Sequence, residues 1–164
     1  MKKFLPALLL FAACSHTSQT TTTRPIPRRS EPARTHEPSP TRSNDRLTGA
    51  SSPRAAVSAF LDAVKAEDLQ AMSVIFGTSR GPSRDNMERS ELDKRLVILQ
   101  CYFTHDKFRI VDESPGEGGH RIIFTELTRG SNTRTPKFYA IPGPSNRWYI
   151  DNMEIAAVRD FCRK

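Results

Sequence analysis

The chain has 164 residues, enough for one ordinary domain, with an apolar fraction of 37% and a formal net charge of +7. Most of that charge lies outside any folded region, because Lys2, Lys3 and a polar segment with six arginines and three carboxylates leave residues 53–164 with only +2. A charge this small argues against a nucleic-acid partner.

The first residues have the pattern of an export signal. Met1 to Lys3 is a short positive stretch, residues 4–11 are an apolar run interrupted by Pro6, and two alanines follow. Such a run is too short to stay in a bilayer as a spanning helix. The pattern predicts a secretory signal peptide.

The residues that close this segment, Leu10-Phe11-Ala12-Ala13-Cys14, resemble the lipobox of bacterial lipoproteins. The resemblance implies that Cys14 is diacylated on sulfur and becomes the new amino terminus, so that its partner is membrane lipid. Ser15 resembles the outer-membrane sorting pattern, which implies an anchor in the outer membrane facing the periplasm. The alternative is a conventional secreted protein with a chance cysteine.

Residues 15–52 contain fifteen Ser or Thr and five Pro, with few large apolar side chains. Such a composition cannot bury enough surface to offset the entropy of ordering. We therefore predict a disordered tether. Its arginines could attract anionic headgroups or an envelope polyanion, or they could simply keep the linker soluble.

The folded domain is predicted to span 53–164 and to open with a helix. Ser52 and Pro53 form a helix-start pair. Four apolar residues then recur with helical spacing on one stripe: Val57, Phe60, Leu61 and Val64.

Two further helices are predicted. Asp68 caps the second, whose apolar face holds Leu69, Met72 and Phe76, and Gly77 ends it. The third is predicted from about Arg84 to Phe103. Its stripe consists of Leu92, Leu96, Leu99 and Phe103.

From Lys107 onward the apolar period changes from 3.6 to 2, which predicts strands. Three turns separate them, and their lengths suit antiparallel neighbours: 115–119, 130–132 and 142–146. The last strand contains Trp148 to Ile150 and is expected to end by Ile155. The expected fold class is α+β, with N-terminal helices packed on a four-stranded antiparallel sheet.

This order of elements, together with the segment from Ser52 to Leu69, resembles the nuclear transport factor 2-like superfamily. The resemblance implies a cone in which a strongly curved sheet wraps around helices and encloses a pocket. Similar proteins include ketosteroid isomerases, polyketide cyclases and non-catalytic binding modules. Fold alone therefore does not choose a function.

With Cys14 assigned to lipid, Cys101 and Cys162 remain. An even number in an oxidising compartment suggests a disulfide. The alternatives are two buried thiols or a metal pair, although the sequence around them lacks ligands at zinc spacing. We predict the disulfide, no metal and no cofactor.

The weak catalytic candidates are Asp106, His105 and Glu126, with Tyr102 and His120 also nearby in sequence. An isomerase needs a carboxylate in a dry apolar pocket with donors for the developing oxyanion. Asp106 lies in a polar turn, where solvation should leave it a weak base. His120 borders a glycine-rich turn and is expected at an exposed edge, and Glu126 is expected to face water.

We therefore expect a membrane-anchored domain that binds a small apolar ligand or an envelope protein without turnover. The alternatives are a small isomerase-like or cyclase-like enzyme and an envelope assembly factor. The aromatic residues Phe138, Tyr139, Trp148 and Tyr149 should discriminate between them. Exposure of this group would favour a protein partner, and burial around a cavity would favour a small ligand.

Overall fold

The computed structural model describes residues 48–163. The predicted signal peptide, the predicted lipidation at Cys14 and most of the predicted tether therefore lie outside the described residues. Within that range the fold is α+β, with helices followed by an antiparallel sheet, as predicted. No helix among these residues is both long and apolar enough to cross a bilayer.

Four helices precede the main sheet: α1 Pro53–Lys65, α2 Leu69–Ile75, α3 Ser83–Asn86 and α4 Arg89–Phe103. Both predicted caps are confirmed. The Ser52 hydroxyl accepts a hydrogen bond from the Ala55 amide at 3.1 Å, and the Asp68 carboxylate accepts one from the Ala71 amide at 2.9 Å. The two helix starts could be predicted from the sequence because each capping side chain accepts a hydrogen bond from an amide that has no partner inside the helix.

The prediction of one continuous third helix was wrong. Residues 83–103 form α3 and α4, separated by Met87, whose backbone is extended. The Glu88 carboxylate then caps α4 by accepting a hydrogen bond from the Glu91 amide at 3.0 Å. The charged residues before Leu92 offered no apolar period that would have revealed the break.

The predicted number of strands was also wrong, because the main sheet has five. Its strands are β3 Lys107–Pro115, β4 Arg121–Arg129, β5 Asn132–Arg134, β6 Lys137–Pro142 and β7 Trp148–Met153. The order is β3-β4-β6-β7, and β5 also pairs with β4. A separate two-stranded hairpin, β1 Gly77–Thr78 with β2 Gly81–Pro82, lies between α2 and α3.

The missed strand is β5, which forms a tight hairpin with the end of β4. Arg129 pairs with Asn132 across Gly130, whose φ is +57°. β5 is short and polar, so it carries no apolar alternation. The turn predicted over 130–132 therefore includes Asn132, the first residue of β5.

Two bulges bend the sheet. On β3 the register skips Val111, and on β7 it skips Asp151, because Tyr139 pairs with Asn152 while Ala140 pairs with Ile150. A bulge adds one residue to one strand and increases its local bend and twist. The sheet is thus curved, and the β7 bulge keeps both Ile150 and Met153 in the core.

The core lies between the helices and one face of the sheet. The rings of Phe60 from α1, Phe103 from α4 and Phe138 from β6 meet at its centre, with centroids 5.1 to 6.3 Å apart. All three side chains are fully buried. The apolar stripes predicted for α1 and α4 are likewise buried, which confirms both patterns.

Residues 48–52, placed in the tether by composition, pack on the domain. Ala50 exchanges two backbone hydrogen bonds of 2.9 Å with Trp148, and the Arg147 guanidinium donates to the carbonyl oxygens of Thr48 and Gly49. The Tyr149 ring lies against Gly49, where a Cβ would come within 2.8 Å of it. These small and polar residues are held in the fold by hydrogen bonds to their backbone. Amino-acid composition gives no sign of such contacts.

We predict that Gly49→Ala lowers the free energy of unfolding more than Gly130→Ala. Both glycines have positive φ, +69° and +57°, so each alanine incurs roughly 1 to 2 kcal/mol of backbone strain. Only at Gly49 does the new methyl meet the Tyr149 ring, which adds about 1 to 3 kcal/mol. Urea titration of both variants measures the difference. Equal losses would mean that residues 48–52 do not belong to the stable fold.

Candidate functional site

A cleft of about 610 Å³ lies on the outer face of the sheet, opposite the helices. Ile122 and Tyr139, neighbours on β4 and β6, form its floor, and their strand neighbours Ile123 and Phe138 point into the core. The remaining lining comes from one turn and from β7: Pro115, Gly116, Glu117, His120, Asp151 and Asn152. An apolar floor with a few polar groups at this volume is typical of a small-molecule site.

The shortest polar contact at the cleft joins His120 to Asp151. The imidazole Nε2 lies 2.6 Å from the Asp151 Oδ2, although the two residues are 31 apart in sequence. The side chains are 26% and 18% exposed. His120 is therefore not the exposed edge residue that the sequence suggested.

The β7 bulge supplies the carboxylate. Asp151 is the extra residue, so its side chain reaches the outer face while Ile150 stays in the core. Its second oxygen, Oδ1, is buried and has no hydrogen-bond partner. A carboxylate in this position depends on the single bond to His120 to compensate for its lost hydration.

The other nitrogen of His120 also faces an acceptor, because Nδ1 lies 2.7 Å from the Glu117 carbonyl oxygen. The hydrogen bond with Asp151 raises the pKa of His120, and the Glu117 carbonyl adds to this rise, while partial burial opposes it. Both contacts favour the doubly protonated imidazolium, which can donate from both nitrogens.

This geometry suits binding better than proton transfer. A general base must have a nitrogen free to take a proton from a substrate, and both nitrogens of His120 are engaged. Both nitrogens therefore hold the ring in place as part of the cleft wall. Tyr139 and Asn152 complete the polar groups that a ligand could contact.

The three predicted catalytic candidates are not brought together. Asp106 is exposed and accepts a hydrogen bond from the Gly130 amide at 2.7 Å, a turn-stabilising role. Glu126 pairs with Arg109 across β3 and β4 at 3.1 Å. His105 is 4% exposed, contacts the Phe103 carbonyl oxygen through Nδ1 and packs edge-on against Phe108.

The aromatic residues expected to reveal a partner are divided between the two faces. Phe138 and Tyr149 are buried, whereas Tyr139 and Trp148 are partly exposed. Phe138 lies in the core and Trp148 packs against it, whereas the Tyr149 ring is buried on the other face beneath Gly49 and Gly143. Of the four, only Tyr139 lines the outer-face cleft.

A second, smaller groove of about 320 Å³ lies between α4 and the end of β7. Its lining is mostly apolar and includes Phe76, Ile98 and Met153. It meets the outer-face cleft at Asp151 and Asn152, which line both. Asp151 thus stands between two concave surfaces.

Cys101 of α4 and Cys162 lie at disulfide distance, with Cα atoms 5.0 Å apart. The predicted pair is therefore correctly juxtaposed. Among residues 48–163 no group of three His, Cys, Asp or Glu side chains is placed to hold a metal ion. No family model, curated protein or solved structure matches the chain.

We predict that the protein, when produced in an oxidising compartment and denatured without reductant, contains no free thiol at Cys101 or Cys162. A bridge across 61 residues removes chain entropy from the unfolded state and contributes about 4 kcal/mol. The double variant Cys101→Ala/Cys162→Ala should lose about that much unfolding free energy, measured by urea titration. Two labelled thiols in the denatured wild type would contradict the bridge.

Proposed function

We propose that the chain is a lipid-anchored protein of the bacterial envelope whose folded domain binds a ligand without transforming it. The observation that carries the binding role is the outer-face cleft, with an apolar floor and a histidine whose two nitrogens are both engaged. The anchoring role rests on the lipobox-like sequence ending at Cys14. A cysteine pair at disulfide distance is consistent with an oxidising compartment.

We also propose that the domain is a variant of the nuclear transport factor 2-like cone. Support comes from the order of elements and from the two bulges that curve the sheet. In this variant the space between helices and sheet holds Phe60, Phe103 and Phe138. The ligand site would therefore lie on the outer face of the sheet.

The ligand class that fits the cleft is a small molecule with an apolar body and a polar end. Ile122 and Tyr139 would contact the body, and Glu117 or Asn152 would hold the polar end. An envelope protein is the alternative partner, for which Val97 and Ile98 on α4 supply exposed apolar surface, each 52% exposed. An isomerase-like enzyme has less support, because Asp106, His105 and Glu126 each have a different structural partner and none of them lines the cleft.

The anchor is testable by metabolic labelling with radioactive palmitate in a bacterial host. We expect label on the wild type and none on Cys14→Ala, because the acyl chains require that sulfur. The matched variant Ser15→Asp should keep its label but move from the outer to the inner membrane fraction. A wild type without label, or a labelled Cys14→Ala, would contradict the anchor.

The cleft is testable with N-phenyl-1-naphthylamine, an uncharged apolar fluorescent probe. For this work the chain from residue 14 onward, with Cys14→Ala, is secreted behind a conventional cleavable signal, which avoids detergent. We expect Ile122→Ser to weaken probe binding by about tenfold, since it replaces an apolar side chain of the floor.

The matched control is Phe124→Ser, two residues further along β4 on the same face but outside the cleft. This variant should bind the probe like the parent chain. Equal loss in both variants would assign binding to the whole outer face. No binding by the parent chain would contradict the small-ligand proposal and favour the envelope-protein alternative.

A further inference from the structure

Two turns of the sheet are built alike. In the first, the Gly116 amide donates to the His120 carbonyl and the His120 amide donates to the Glu117 carbonyl. In the second, the Gly143 amide donates to the Arg147 carbonyl and the Arg147 amide donates to that of Pro144. Each turn also has two successive positive φ values, at Gly118 and Gly119 and at Ser145 and Asn146.

Each turn ends in a basic residue that attaches it to another part of the domain. Arg147 donates to the carbonyl oxygens of Thr48 and Gly49, and its guanidinium stays protonated at any physiological pH. His120 occupies the equivalent position and binds Asp151. Its charge, unlike that of Arg147, can be lost near neutral pH.

The number of protons on the imidazole decides whether both contacts can persist. Nε2 faces the Asp151 carboxylate at 2.6 Å and Nδ1 faces the Glu117 carbonyl at 2.7 Å, so both nitrogens need a hydrogen. Neutral imidazole carries only one. On deprotonation the remaining hydrogen would go to the carboxylate, the stronger acceptor, and a lone pair would face the carbonyl oxygen of Glu117.

We propose that the turn 116–120 is a proton-operated clasp that closes one wall of the outer-face cleft, so that ligand binding depends on pH. This inference rests on the proposed function. Gly116, Glu117 and His120 line the cleft, and the His120 ring ties them to β7. Loss of the proton leaves the bond of the ring to Asp151 in place but removes its contact with the Glu117 carbonyl oxygen, which loosens the turn at Glu117 and widens that wall.

The charged and titratable groups that surround His120 are consistent with a pH-dependent turn 116–120. Asp151 faces it from β7, Tyr139 lines the same cleft from β6, and Glu117 lies in the turn itself. Arg121, the next residue, pairs with Glu113 of β3 at 2.8 Å. Because the bond to Asp151 raises the pKa of His120, the clasp is closed at acidic pH and opens only as the pH rises through that raised value.

The clasp is tested by amide hydrogen exchange on the secreted Cys14→Ala chain without ligand, corrected for intrinsic rates, from about pH 5 to about pH 9. We expect the Gly116 and His120 amides to lose protection, by at least about threefold, as pH rises. The Gly143 and Arg147 amides are the internal control and should stay unchanged. His120→Gln should make the protection of the first turn independent of pH, and Asp151→Asn should lower the pH midpoint.

Probe binding is then measured over the same range, and the expected result is weaker N-phenyl-1-naphthylamine binding at high pH. The probe is uncharged, so loss of the imidazolium charge alone does not explain such a change. Flat exchange in the first turn, or equal changes in both turns, would overturn the clasp. A clasp that opens while probe binding stays constant would overturn the gating and leave the proposed function standing. No probe binding at any pH would instead count against the proposed function.

Discussion

Close packing of three phenylalanine rings between helices and sheet is the constraint on which the rest of the domain depends. Phe60, Phe103 and Phe138 come from three elements far apart in sequence, and their contacts hold α1 and α4 against one face of the sheet. The space between the helices and the sheet is thereby filled. Concave surface suited to a ligand is found instead on the opposite face and at the β7 edge.

The sequence predicted the elements that carry a strong period or a cap. α1 was readable because its apolar stripe and its Ser52 cap agree, and the strands from Lys107 onward were readable from alternation. The elements that were missed lack both signals. β5 is short and polar, and the break at Met87 lies among charged residues, immediately before Glu88, which caps the next helix.

The candidate site was much less predictable than the fold. His120 was predicted to lie at an exposed edge, and no residue pattern pointed to Asp151. Their contact depends on the β7 bulge, which the sequence does not reveal. One signal was available in retrospect. Each of the two turns begins with a glycine and ends in a basic residue, His120 or Arg147. A basic residue repeated at the same position of two similar turns indicates that its side chain attaches the turn to another part of the domain.

The pairing of Ala50 with Trp148 also determines where the first described residues join the sheet. Whatever precedes Thr48 enters the fold beside the first residue of β7. Asp151, which lines both concave surfaces, lies three residues along that strand, a distance of about 10 Å. A force applied to the chain at Thr48 would therefore act first on β7, the strand whose bulge carries Asp151.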